Sequence, residues 1–140
     1  MIHGRFQMLH NDLIKYLMAG KKLCIYLVVG ITNPDPSLTR DSDPNPHHST
    51  PFANPLNYYK RYLYTQAALL EQGLRPTEFS IVPFPMNVPE LLKYYVPLDA
   101  IFFLTIYDDW GDKKRIFSIS RIKDSCTMGS SYRAKETQFK

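Results

Sequence analysis

A chain of 140 residues is the size of one domain, and with 44% hydrophobic and 14% aromatic residues it has enough apolar surface to bury a core, which excludes a disordered chain. A net charge of +4 and a pI near 9.0 admit an anionic ligand, but the basic residues are dispersed except for an excess over 113–123 and 133–140. The continuous basic stripe with interleaved aromatics that marks a nucleic-acid binder is missing, no apolar run approaches the roughly 20 residues of a membrane span, and the N-terminus lacks the basic start and long apolar stretch of a signal peptide.

The expectation is therefore a soluble, cytoplasmic chain that binds neither nucleic acid nor membrane. Cys24 and Cys126 have no metal-ligand spacing and suit a reducing compartment.

Residues 1–6 read as a short extended opening and residues 7–10 as a turn, after which Asn11 or Asp12 caps a helix whose Ile14, Leu17 and Met18 recur at the spacing of a buried stripe. Gly20 offers that helix a left-handed stop. Leu23–Ile31 is nearly continuous in apolar and β-branched residues, as a central strand covered on both faces requires. Strand, turn, helix and buried strand make a βαβ opening and predict a parallel sheet.

Between Asn33 and Pro55 the composition changes, and six of the eleven prolines fall here, so neither a helix nor an inner strand continues through it. A loop of this length is either disordered or part of a binding site. His47 and His48 within it read as solvated loop residues, lacking the partner cluster of a metal site.

Asn54-Pro55 supplies a cap followed by a first-turn proline for a helix in which Leu56, Tyr59, Leu63, Ala67 and Leu70 repeat at three and four, ending at Gly73. Arg61 lies off that stripe. Residues 79–82 form a third strand ended by proline, Asn87 and Glu90 suggest a capped short helix to Tyr95, and Ala100–Tyr107 is a fourth apolar strand. Ligands of open parallel sheets bind beyond the carboxyl ends of the strands, which places Tyr107, Asp108, Asp109 and Trp110 to contact one. The same reasoning makes the Gly-bearing turn before the first helix a phosphate cradle, since free backbone N–H groups and the positive end of the helix dipole converge there.

The run Gly4, Arg5, Phe6, Gln7, His10, Asn11 resembles the signature of the nucleotidylyltransferase superfamily, Gly-Arg-Phe-Gln-Pro-x-His-x-Gly-His, and most closely that of the nicotinamide or nicotinate mononucleotide adenylyltransferases. Met8 replaces the proline, Asp12 the glycine and Leu13 the second histidine. Residues 30–36, 81–85 and 105–110 also resemble the family in its order, so the likeness covers 1–115, and 116–140 stands apart as an atypical polar tail in which the family's C-terminal phosphate-binding segment is absent. The resemblance implies a three-layer, Rossmann-like α/β fold with helices on both faces of a parallel sheet, the first strand near its centre and the C-terminal end truncated.

It further implies transfer of AMP from ATP to a pyridine mononucleotide, with Mg²⁺ bridging the phosphates. In that reading His10 is a catalytic phosphate donor and Arg61 a catalytic arginine. Gly4, Arg5, Phe6, Gln7, Asn11, Gly30 and Asn33 hold the nucleotide, and Phe84, Tyr107, Asp108, Asp109 and Trp110 hold the second substrate.

Plainer readings stand beside these. Arg61 and Lys15 fit solvated helix faces, and Phe6 and Phe84 fit a core as well as they fit a stacking role. Leu13 cannot hydrogen-bond a phosphate, which implies impaired turnover or, as the alternative, a non-catalytic nucleotide-binding relative. The oligomeric state is not legible.

Overall fold

The computed structural model describes residues 1–39 and 54–104 and the backbone of 135–136. Its framework begins with β1 (Ile2–Gly4), α1 (Asn11–Lys21), β2 (Leu27–Thr32), α2 (Tyr58–Glu71) and β3 (Phe79–Phe84), in which β1 and β3 both pair with β2 in parallel. β2 is buried at every residue. Because strand side chains alternate, Leu27, Val29 and Ile31 enter one core with Ile2, Leu17 and Leu69, while Val28 enters a second with Phe84, Leu92 and Phe102.

Right-handed crossovers that step the same way along a sheet put their helices on the same face, and α1 and α2 both supply the first core. The opposite face is covered by a 3-10 segment, Pro89–Tyr94, through Leu92. Helical segments therefore flank a parallel sheet on both sides, the α/β arrangement expected.

β4 (Phe103–Leu104) lies along the other edge of β1. The Phe103 N–H donates to the Met1 carbonyl at 2.9 Å, and the Met1 amino group donates to the Ile101 carbonyl. Bonds that bracket one residue in this way are the pattern of a parallel ladder. β5 (Lys135–Glu136) pairs in parallel with β4 in a two-stranded sheet that lies beside the three-stranded order β1-β2-β3, and the two Met1 bonds join the sheets, so that β1 has β2 on one side and β4 on the other. β5 falls inside the stretch read as an unpatterned tail.

Several local expectations are corrected. α1 runs through Gly20 to Lys21, and Gly20 is needed for close approach rather than for a turn, because a Cβ there would collide with the Ile2 side chain. Residues 23–26 are not strand; they form the turn into β2, with Ile25 93% exposed. The cap of α2 is Asn57, whose side chain accepts from the Lys60 N–H at 2.9 Å, and not Asn54. Residues 89–94 form a 3-10 helix, and Val88 before it gives no side-chain cap.

α2 is also turned about its axis relative to the predicted stripe. It buries Arg61, Thr65, Ala68 and Leu69, while Tyr59, Leu63 and Leu70 face outward. Small Thr65 and Ala68 let the helix approach the sheet, and Leu69 fills the first core.

Candidate functional site

β1-α1-β2-α2-β3 moves outward in one direction, and the chain then returns to lay β4 on the opposite side of β1. The strand order thus reverses between β1 and β4. Such a reversal opens a crevice at the carboxyl ends of the strands, and the loop Arg5–His10 leaves β1 at that end.

Phe6 turns the loop through a left-handed backbone, φ 49°, and drops its ring into the first core over Gly4, where an added Cβ would come within 3.2 Å of the ring. His10 then caps α1. Its Nδ1 accepts from the Leu13 N–H at 3.4 Å, so in the neutral ring the proton sits on Nε2 as a donor. The N–H groups of Asn11 and Asp12, at the first two helical positions, are among those a helix leaves unpaired. With the positive end of the dipole, such groups suit an anion. Leu13 packs its side chain against the first core.

Arg61 is the centre of the arrangement. It is 4% exposed, and its guanidinium Nη1 donates to the Arg5 and Thr32 carbonyls at 3.1 and 2.7 Å while Nη2 donates to the Asn33 carbonyl at 2.9 Å. One side chain thereby fastens the end of β2 to the exit of β1. The solvated-surface reading of Arg61 is corrected. Among the described residues no carboxylate pairs with it. Burial first, and then the neighbouring Arg5 charge, pull the guanidinium below its usual value, and burial does the same to Arg5. Two desolvated cations at the strand ends create a strong positive potential for an anion.

A second set of bonds ties α2 to the loop. The Gln7 carboxamide accepts from the Leu56 N–H at 2.9 Å and donates to the Leu56 carbonyl at 3.2 Å, and Asn54 Oδ1 accepts from Arg5 at 3.0 Å and from Gln7 at 3.4 Å. Gln7 thus spends its polar atoms on the Leu56 backbone and the Asn54 side chain. Asn54 and Leu56 went unremarked in the sequence as site residues, and no motif spacing would have found them.

Asn33, also left-handed at φ 46°, takes the Phe84 carbonyl with its N–H, and its Oδ1 is buried without a partner, as are Thr32 Oγ1, Arg61 Nε and Thr65 Oγ1. Arg5, Gln7, Asn33 and Arg61 are brought together, with Gly4, His10 and Asn11 on the same loop and helix start.

Three expected ligand contacts lie elsewhere. Phe6 and Phe84 are core residues, Phe84 being 1% exposed and stacked on His3 at 4.5 Å, so neither presents a ring face to a base. Gly30 faces Met1 and Phe84, where a Cβ would sit 2.9 and 3.0 Å from their side-chain atoms, so the glycine serves close packing there. Tyr107, Asp108, Asp109 and Trp110 lie outside the described residues, as do His47, His48 and Cys126. Among the described residues no helix is long and apolar enough to cross a membrane.

No family model matches the sequence, and no solved structure matches it. The chain is 50% identical over 113 residues, 81% of its length, to the phosphonoformate cytidylyltransferase of Streptomyces viridochromogenes. It spans 61% of the length of that relative. The likeness is to a nucleotidyltransferase, the broad class that the motif resemblance implied. It overturns the finer expectation, since a relative this similar is named for cytidylyl transfer and phosphonoformate, not for AMP transfer from ATP to a pyridine mononucleotide. The adenylyltransferase reading and its NAD-forming role are corrected accordingly, and the non-catalytic alternative gains nothing from the match.

Proposed function

We propose that the chain is a nucleotidyltransferase of the cytidylyl class, moving CMP from CTP to a small anion that carries a phosphonate or carboxylate, with release of pyrophosphate. The observation that carries this is Arg61, a buried cation without a described counter-ion, fixed with Arg5 where the strand order reverses. The identity to the cytidylyltransferase supports the choice of nucleotide and acceptor.

In the proposed reaction an acceptor oxygen attacks the α-phosphorus of CTP. A new P–O bond forms as the bond to the α,β-bridging oxygen breaks, and pyrophosphate leaves with that electron pair. Little covalent chemistry falls to the protein, so alignment and neutralisation of charge on the phosphate oxygens must do the work. His10 Nε2–H and the N–H groups of Asn11 and Asp12 would donate to the phosphates. Arg61, with Nη1 and Nη2 committed to carbonyls, would act by holding the strand ends in register and by its field. Gln7 and Asn54 would hold Arg5 and the start of α2 in place.

Mg²⁺ would screen the triphosphate. Among the described residues no three His, Cys, Asp or Glu side chains gather to hold a metal, so the described part of the cradle offers the ion no cage.

Pyrophosphate release measured with phosphonoformate, Mg²⁺ and each of CTP, UTP, ATP and GTP tests the reading. Release with CTP alone, dependent on phosphonoformate, is expected. Faster release with ATP, or none with any triphosphate, would overturn it.

A further inference from the structure

The outward side of α2 carries an apolar stripe that no described residue covers. Tyr59, Leu63, Ala67 and Leu70 follow at steps of four, four and three, which keeps them in one narrow sector of a helix with about 3.6 residues per turn. Tyr59 is 65%, Leu63 39% and Leu70 42% exposed, and Ala67 is exposed beside them, while the opposite side of the helix is buried against the sheet. A helix apolar on its outward side as well as packed on its inward one is built to be covered on both.

Two charges border the stripe along one flank, Lys60 at its start and Glu71 at its end. They are eleven positions apart, or about 16 Å along the axis, too far to meet within the helix, and neither has an ion-pair partner among the described residues. The pattern reads alike from either end about the level of residue 65: a large apolar residue at each limit, two in the middle, and opposite charges at the two ends of one flank.

We propose that this face binds a second copy of the chain, α2 packing antiparallel on α2 about a two-fold axis. A two-fold interface must be self-complementary, and the antiparallel arrangement keeps a flank on the same side in both copies. It sets Tyr59 level with Leu70 of the partner subunit, Leu63 level with Ala67 of the partner subunit, and Lys60 beside Glu71 of the partner subunit, twice per dimer. A parallel pairing would put the two charged flanks on opposite sides of the seam and leave Lys60 and Glu71 without each other. A partner with a uniformly charged rim would meet repulsion at one end.

The 14-residue helix is about 21 Å long, a strip narrower than the roughly 800 Å² per partner of a standard interface, so the dimer is a reversible, concentration-dependent one.

Sedimentation velocity of the full chain over a range of concentrations tests this. A monomer–dimer equilibrium is expected, weakened roughly tenfold or more by Leu63→Glu, which buries an unpaired charge. Lys60→Glu and Glu71→Lys should each weaken association by roughly two- to fivefold per pair, and the double exchange should restore it. Circular dichroism checks that the variants fold; Ala67→Glu, also at an exposed position, replaces Leu63→Glu if that variant does not. A monomer at every concentration, a dimer indifferent to Leu63→Glu and Ala67→Glu, or a double exchange that restores nothing would overturn the proposal.

Discussion

Arg61 holds three carbonyls from two strand ends, a task that no other natural side chain performs, because only guanidinium offers a rigid planar fork of donors. Arg61→Met should leave those acceptors without a donor and lower stability by on the order of 3 kcal/mol, given about 1–3 kcal/mol for each buried group left unsatisfied and partial relief from water. Arg61→Lys should fall between, keeping the charge but losing the fork. Urea midpoints of the three proteins check this, and equal midpoints would mean that the bonds contribute little.

Gly30 gives a sharper test of packing against ligand contact. A methyl group there would press on Met1 and on Phe84, whose Cβ is 3.0 Å from the added atom and cannot swing away as the end of a long side chain would. Gly30→Ala should therefore cost roughly 1–3 kcal/mol, as overpacked cores do, without a selective loss of nucleotide affinity. Calorimetric titration with CTP on the folded variant separates the two effects.

The elements are joined at two levels. At the lower end of the sheet, Lys21 at the end of α1 reaches Glu78 just before β3 at 3.6 Å, and Glu78 also accepts from the Arg75 backbone and side chain. Those hydrogen bonds, the backbone one first, hold the Glu78 carboxyl below its ordinary 4.5. A carboxylate depressed in the folded state contributes stability that is fully present above its unfolded value and is lost as pH falls through its folded value. Glu78→Gln should accordingly lower the melting temperature slightly at pH 7 and flatten the stability loss of the parent below about pH 4.5. Parallel pH profiles would refute the assignment.

At the upper end Gln7 grips Leu56, and Gln7→Ala should loosen the start of α2 while leaving β2 intact. Hydrogen exchange should rise at residues 56–62 and stay low at 27–32; a uniform rise would mean global destabilisation instead.

The element order was legible because β2 is apolar on both sides and the helices carry strong 3.6-residue periodicity. The face of α2 was not. Its outward stripe is more apolar than its buried side, and periodicity alone cannot say which of two faces meets the sheet. The buried side is chosen by Arg61, whose hydrogen bonds to Thr32 and Asn33 no composition reveals. Ile25 misled in the same way, since an apolar run reads as strand even where α1 continues to Lys21 and leaves only a turn before β2.

On the scale of the whole molecule, β1 lies between β2 and β4, and that placement sets the short Gly-Arg-Phe-Gln run of the candidate site beside a reversal of strand order. Arg61 ties α2 to the ends of β1 and β2 at that same edge, through the Arg5, Thr32 and Asn33 carbonyls. The turn and helix start of the candidate cradle, Gly4 to Asn11, were legible because a turn feeding a capped helix is a local feature. The parts contributed by Asn54 and Leu56 were not, because they come from chain 49 positions from the loop residues they bond, Arg5 and Gln7 respectively, nor were the Thr32 and Asn33 carbonyls, which lie 29 and 28 positions from Arg61.

Phosphorus NMR of the chain with CTP and phosphonoformate follows the reacting atom itself. The account predicts loss of the CTP α-phosphorus signal, a new signal for a cytidylyl ester or anhydride of the acceptor, and one pyrophosphate for each product formed. Unchanged CTP in the presence of folded chain, Mg²⁺ and acceptor, or pyrophosphate formed without a coupled product, would contradict it.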